Sequence, residues 1–345
     1  MAYAAITKPS SYMNTKLYTG NGSTQALTGV GFQPDATWIK NRDAADSHMF
    51  CDAVRGVTKI IFPNLGNVED TDVNSITAFG ADGFSVGSSG NVNTNTEDFV
   101  AWNWKANGAG ALNEIGSINS TVSVNTTSGF SIVYYTGTGA AATVGHGLGA
   151  VPKAVIVKKL SQSDDWFSYH EPLGNLGRLQ LSTDAAKTTG ASYWNSTTPT
   201  SSVFSLLNNG ANNAVGETHV AYCFADVKGF SKFSGYTGNG NADGTFVYTG
   251  FKPAFFLLKR TNTSQKWILI DNKREGYNSQ NDQLYPNQTD AEGNGAGWFD
   301  IVSNGIKFRN GDNEMNGSGD SYIYMAFASE PLVSNVGSGI PATAR

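Results

Sequence analysis

Apolar residues along this chain come in short runs separated by Gly, Asn and Pro turns. Almost no stretch keeps the i, i+3, i+4, i+7 spacing of an amphipathic helix over about eleven residues or more. Two-residue alternation is the commoner pattern. Phe99–Trp104 (FVAWNW) sets Val100, Trp102 and Trp104 on one face and Phe99 and Ala101 on the other, with Asn103 the polar interruption. Tyr322–Ala328 (YIYMAFA) repeats that texture. Ala36–Lys40 (ATWIK), Ala154–Lys158 (AVIVK), Ala254–Lys259 and Trp267–Ile270 (WILI) read as further strands, and the β-branched AVIVK run as a central one. The pattern predicts an all-β protein.

The runs recur in a fixed order. Tyr18-Thr19-Gly20-Asn21-Gly22, Tyr135-Thr136-Gly137-Thr138-Gly139 and Tyr236-Thr237-Gly238-Asn239-Gly240 each open a unit. Each leads to a Gly-apolar-x-Pro turn (Gly31–Pro34, Gly149–Pro152, Gly250–Pro253) and then to an apolar run closed by Lys40, Lys158 or Lys259. The lysines lie 118 and 101 residues apart. Three tandem antiparallel β-sandwiches of jelly-roll-like type follow from this triplication, each near the size of a sandwich domain. The expected organisation is an arm over 1–16, a first unit over 17–105, a linker over 106–128, a second unit over 129–228, a third over 229–331, and a tail over 332–345. The motif glycines are expected to supply positive φ or close strand approach. Trp102, Tyr222 and Tyr324 are expected at equivalent or near-equivalent, mostly buried positions of the last strand, which should bury one face against the AVIVK-like strand.

Composition agrees: 40 Gly, 14 Tyr, 19 Phe and 7 Trp, with 15% charged residues, suit strands and tight turns better than long helices. The net charge is -5 with no Lys/Arg run, which argues against nucleic acid as a partner. The N-terminal MAYAAITKPSSYMN lacks a sustained apolar core, so a signal peptide and membrane insertion are not expected. Cys51 and Cys223 sit at unmatched positions and are read as small core residues.

No catalytic constellation emerges. His48, His146, His170 and His219 are scattered, and His170 occupies the repeat position of Asp52 and Asp271. A position alternating between Asp and His suits a strand-end structural role better than catalysis. Glu97, Asp98, Asp165, Glu171, Glu292 and Asp300 form no obvious facing pair for glycoside hydrolysis. The expectation is therefore a non-enzyme without cofactor. Asn310–Asp320 (NGDNEMNGSGD) is dense in oxygen ligands, and Asp312, Glu314, Asn316 and Asp320 are weak calcium candidates. Ile323 stands where a calcium loop needs its bidentate Glu, so a solvated turn is the plainer reading. Tyr193, Trp194, Tyr277, Tyr285 and Trp298 fall in polar loops and are the candidate ligand-binding residues, able to stack on sugars or to anchor the loops. The best candidates for contacting loops are Gly190–Ser202 and Asn272–Gly297, with Trp298 directly after the second.

The repeated Tyr-Thr-Gly-x-Gly and Gly-Phe-x-Pro motifs, with Ser303–Phe308 (SNGIKF), Tyr322–Ala328 and the Ile340–Arg345 ending, resemble a family of structural proteins of marine tailed phages. Members are described as tail-fibre or minor virion proteins with concanavalin/SPRY-like sandwiches. The resemblance covers Leu17 to Pro331 and implies a virion protein made in the host cytoplasm. It implies a tail-fibre or receptor-binding component, a homotrimer, contacts with other virion proteins, and a host surface glycan or protein as partner. The alternatives are a capsid decoration or head-fibre protein and, less well supported, a soluble carbohydrate-binding protein. No catalytic residue carries over.

Overall fold

A computed structural model describes residues 4–332. The protein is all-β, with antiparallel pairing throughout its named sheets. Three sheets share one order of four strands, which in the second is the middle of an eight-stranded sheet. The first is Met13–Thr19, Asp98–Trp104, Ala36–Asn41, Met49–Asp52. The second contains Phe130–Thr136, Thr218–Phe224, Ala154–Lys159, Trp166–His170, and the third is Ser231–Thr237, Ser321–Pro331, Phe251–Arg260, Trp267–Asp271. The last strand of each unit thus sits between the motif strand and the lysine strand. Register is kept as well: Tyr18 faces Phe99, Tyr135 faces His219, and Tyr236 faces Tyr322.

Smaller sheets cover one face of each: Gln25–Thr28, Gly83–Val86 and Ile76–Gly80 in the first unit; Ala142–Gly145 and Val203–Leu206 in the second. In the third, Phe246–Tyr248, Gly305–Phe308, Gly293–Val302 and Gln280–Gln283 do so. Each small sheet closes its own apolar cluster, built around Phe99 and Ala101, around Tyr135 and Ala221, and around Tyr322 and Tyr324. The opposite faces of the three large sheets meet in a fourth cluster shared by all units. Trp38, Trp102 and Trp104 there meet Ile156, Trp166 and Tyr222 of the second unit and Phe255, Leu257 and Met325 of the third.

This shared core corrects one expectation and sharpens another, since Tyr324 is buried one position from the strict equivalent. The last strand does not pack face-on against the lysine strand; the two are hydrogen-bonded neighbours in one sheet, buried on both faces. The residue equivalent to Trp102 and Tyr222 is Met325, since Trp38, Ile156 and Leu257 face those three in register. Tyr324 points to the third unit's own cluster, because strand side chains alternate and one position changes the face.

The motif glycines have separate reasons. A Cβ on Gly20, Gly137 or Gly238 would lie 2.1, 2.3 and 2.3 Å from the carbonyl oxygens of Thr94, Ala214 and Gly317. The second glycines, Gly22, Gly139 and Gly240, hold φ of 66°, 68° and 68°, where L side chains are strained. Each motif tyrosine donates its hydroxyl to a backbone carbonyl of the loop before the last strand: Tyr18 to Val92, Tyr135 to Asn212, Tyr236 to Met315, at 2.7, 2.7 and 2.6 Å.

The segment expected as a linker carries two strands, Ala111–Asn113 and Ser120–Asn125, which extend the second unit's sheet beside Phe130–Thr136. Val122 and Val124 give it an apolar side that packs on the second unit, and this is why it pairs rather than hangs free. Most of the N-terminal arm is ordered: Ile6 and Met13 join the shared core. Residues 1–3 and the tail Val336–Arg345 lie outside the described residues, with the Ile340–Arg345 ending.

Candidate functional site

The polar chemistry of the chain concentrates at the three joints between units. Each unit hands a backbone N–H to the next: Glu69 to the Leu160 carbonyl, Lys187 to Thr261, and Glu292 to Arg42, all at 2.8 Å. The three contacts close a ring. The same positions repeat on the side chains. Trp166 Nε1–H donates to Phe62 O and Trp267 Nε1–H to Gln180 O, both at 2.9 Å. In the first unit this strand position is His48, whose Nε2 lies 3.0 Å from Tyr285 O. Trp38 Nε1–H donates to His48 Nδ1 at 2.9 Å, so Nε2 carries the proton and donates. Burial holds His48 well below the usual imidazole range.

Nearer the centre, Tyr222 donates its hydroxyl to Asp52 Oδ2 at 2.7 Å, and Trp102 Nε1–H donates to Asp271 Oδ2 at 3.1 Å. Met325, the third equivalent, offers no donor. The carboxylate position opposite it is His170, whose Nε2–H donates instead to Tyr324 O at 3.0 Å. The Asp-to-His change therefore tracks whether the facing residue can donate. Where Asp is present, an arginine three residues on completes it: Arg55–Asp52 at 2.6 Å and Arg274–Asp271 at 2.7 Å. Each arginine also reaches a glutamate, Glu69 at 3.1 Å and Glu292 at 2.7 Å. Glu292 additionally binds Arg42 of the first unit at 2.6 Å, and these arginines hold its carboxyl below the ordinary range against the opposing effect of burial. In the second unit Leu173 and Lys187 replace this arginine and glutamate.

Lys40, Lys158 and Lys259 are buried, and each ammonium donates to backbone carbonyls. Lys40 reaches Asn41 O and Ala44 O at 2.6 and 2.9 Å. Lys158 reaches Lys159 O and Asp164 O, both at 2.8 Å, and Lys259 reaches Arg260 O and Asp184 O at 2.8 and 3.2 Å. Burial lowers all three to about 8. Carbonyls surround these amines, so they cross-brace turns and are not presented to a substrate. The carboxylates considered for hydrolysis are likewise committed. Asp165 accepts from Gln180 and Ser182, Asp300 pairs with Arg309, Glu171 with Lys153, Asp98 accepts from Thr19, and Glu97 from Asn41.

The sequence-predicted aromatics do not converge. Trp194 is only 1% exposed and packs edge-on against Tyr169 in the second unit's cluster. It is a loop anchor, a correction to its place among recognition residues. Its apolar area is too large for a polar loop to leave in water. Tyr193 lies half-buried, with the Arg178 guanidinium 3.8 Å above its ring and Phe167 alongside. Tyr285 and Trp298 pack on the third unit's cluster, and Lys266 sits 4.1 Å over the Tyr285 ring. Tyr277 alone of the five is mostly exposed, at 65%. The stretch Asn272–Gly297, expected as a loop, carries the strand Gln280–Gln283 and the start of Gly293–Val302, and Glu292 and the Tyr285 carbonyl tie it to the first unit.

The oxygen-rich loop is built for the fold. Asn316 is buried; its Oδ1 accepts from Asn239 N–H and its Nδ2 donates to Asn310 O, Asn241 O and Asn239 Oδ1. Asp320 holds Arg260 at 2.6 Å and Asn262 at 2.9 Å, and Asp312 accepts from the Glu314 N–H. Among the described residues, no group of three His, Cys, Asp or Glu side chains is placed to hold a metal ion. Asn93 and Asn213 repeat the Asn316 role. Each accepts from the N–H after a motif glycine at 2.8 Å and donates to the carbonyl six residues before it. This asparagine was missed in the sequence because its neighbours are polar and carry no periodicity. Its signal is a constant offset of six residues to Phe99, His219 and Tyr322.

One family model, a domain of unknown function (DUF7483), matches residues 8–331. The chain belongs to the DUF7483 family. No curated protein matches it. The match spans all three units.

The DUF7483 chain has one further aromatic feature that sequence reading passed over. On the Phe246–Tyr248 strand, Val247 points inward, while Phe246 and Tyr248 face out, 44% and 51% exposed. Their ring centroids are 6.5 Å apart, and Lys232 Nζ lies 5.3 Å over the Tyr248 ring. The three-residue apolar run was too short to draw notice beside the longer loops.

Proposed function

We propose that this DUF7483 protein is a virion structural protein, a tail-fibre or receptor-binding component that attaches to a host surface without catalysis. The observation that carries it is the fate of the chain's polar groups. The buried histidines, lysines and ion-paired carboxylates described above are committed to joints and turns of the fold, while Phe246, Tyr248 and Tyr277 stay exposed. Such a body suits presentation of a surface more than turnover. The resemblance of its repeated motifs to tailed-phage structural proteins gives the setting. Jelly-roll-like, concanavalin/SPRY-like sandwiches, other virion proteins as neighbours and a homotrimeric state belong to the same reading. Weak sites multiplied by copies on a particle could hold a cell.

A second reading, capsid decoration, is favoured by a specific observation: the three equivalent joints give one chain an internal approximate threefold, which matches a threefold capsid position. Locating the chain in a reconstruction of the intact particle tests both. Density at the tail supports attachment, density at capsid threefolds supports decoration, and absence from the particle overturns both.

A further inference from the structure

The internal repeats provide a control for the exposed Phe246–Tyr248 pair. Val247 faces Ile306 in register, as Leu27 faces Phe84 and Val144 faces Phe204. The outward positions flanking Leu27 are Ala26 and Thr28, both exposed, whereas in the second unit Thr143 is half-buried and Gly145 is buried against Ile115. The first unit thus builds the same exposed strand with small residues where the third unit spends two aromatic rings. Folding does not require them, and leaving them in water forfeits apolar burial.

The strand is the edge of its sheet, and Tyr248 borders a groove of about 500 Å3. Asp226, Ser231, Lys232 and Thr249 also line it. Lys232 is positioned by its bond to the Tyr248 carbonyl at 3.0 Å, and Asp226 by accepting the Phe233 N–H at 2.9 Å. A flat exposed ring therefore stands beside one ammonium and one carboxylate, with a second ring next along the strand.

We propose that Phe246, Tyr248, Lys232 and Asp226 form a saccharide-binding strip. A pyranose offers a C–H face to an aromatic ring and hydroxyls at its edge, each able to donate and to accept. An ammonium can only donate and a carboxylate can only accept, so the pair satisfies hydroxyls in both senses. A purely apolar partner would leave both charges desolvated and unpaired. This inference deepens the attachment reading by naming its ligand class and its site.

The test uses the full-length protein and the double variant Phe246→Ala, Tyr248→Thr, which installs the residues of the first unit. Saturation-transfer NMR is run with methyl α-D-glucopyranoside, methyl β-D-galactopyranoside and N-acetylglucosamine at millimolar concentration. The expected result is transfer to at least one sugar by the wild type and its loss in the variant, with the thermal midpoint retained. No transfer to any of the three, or equal transfer by the variant, overturns the proposal. Adsorption of particles carrying the variant separates the two readings. Sugar binding with unchanged adsorption leaves the strip standing and contradicts host attachment through it. Reduced adsorption without sugar transfer keeps attachment and overturns the saccharide assignment.

Discussion

Tyr222 donates its hydroxyl to Asp52, 170 residues earlier in the chain, at 2.7 Å, inside the core shared by the three units. Asp52 remains bound to Arg55 when that hydroxyl is removed. Tyr222→Phe should therefore cost about 1.5–3 kcal/mol, the range for a hydrogen bond to a charged group. Urea unfolding of wild type and variant measures it. A loss below about 0.5 kcal/mol would show that the bond adds nothing to the joint.

The buried lysines set a pH dependence with a definite sign. Burial lowers Lys158 to about 8 in the folded protein, against about 10.4 for an exposed lysine. Between those values the unfolded chain binds more protons, so the contribution of Lys158 to stability rises with pH. Below the folded value the buried charge is a constant cost. The unfolding free energy of wild type minus that of Lys158→Met should increase from about pH 7.5 to about pH 9.5 in urea titrations. A flat or falling difference contradicts the assignment.

Trp194 separates an anchoring role from a recognition role. Trp194→Ala should cost about 3–5 kcal/mol, as for other buried aromatic truncations. Chemical denaturation gives the value. A cost under about 1 kcal/mol would return Trp194 to the surface.

Much of this architecture was legible in the sequence. The tyrosine-glycine motif, the closing lysine and the Asp/His position all repeat at fixed offsets, and the structure puts each at one place in three equivalent sheets. FVAWNW alternation assigned Val100 and Trp102 to one face and Phe99 to the other. The shared core was not legible, because alternation reports which residues share a face and not what covers it. The joints were hidden for a related reason: Glu292 meets Arg42 across 250 residues, and no local pattern announces such a pair. Tyr324 was legible as a buried near-equivalent of Trp102 and Tyr222, but the one-residue offset that turns it to the other face was not. Aromatic content in polar loops left stacking and anchoring both open, because it does not report burial, and four of the five candidates fold back on the protein.

The first motif glycine offers a sharp steric test. Gly137→Ala would drive a methyl group to 2.3 Å from the Ala214 carbonyl oxygen. Gly149 has nothing within 4 Å of its missing Cβ and a φ of 68°, so Gly149→Ala meets backbone strain alone. Gly137→Ala should lower the thermal midpoint more than Gly149→Ala, since it adds a backbone collision to a site fixed by the strand. Equal midpoints would mean that the loop at Ala214 yields freely.

The central claim is that three repeated units close one ring around a common apolar core. Differential scanning calorimetry of the intact protein tests it most directly. Units that share Trp102, Tyr222 and Met325 in one cluster cannot lose one member without exposing the others. The account predicts a single transition whose calorimetric and van't Hoff enthalpies agree. Two or three separable transitions, each with its own midpoint, would contradict it.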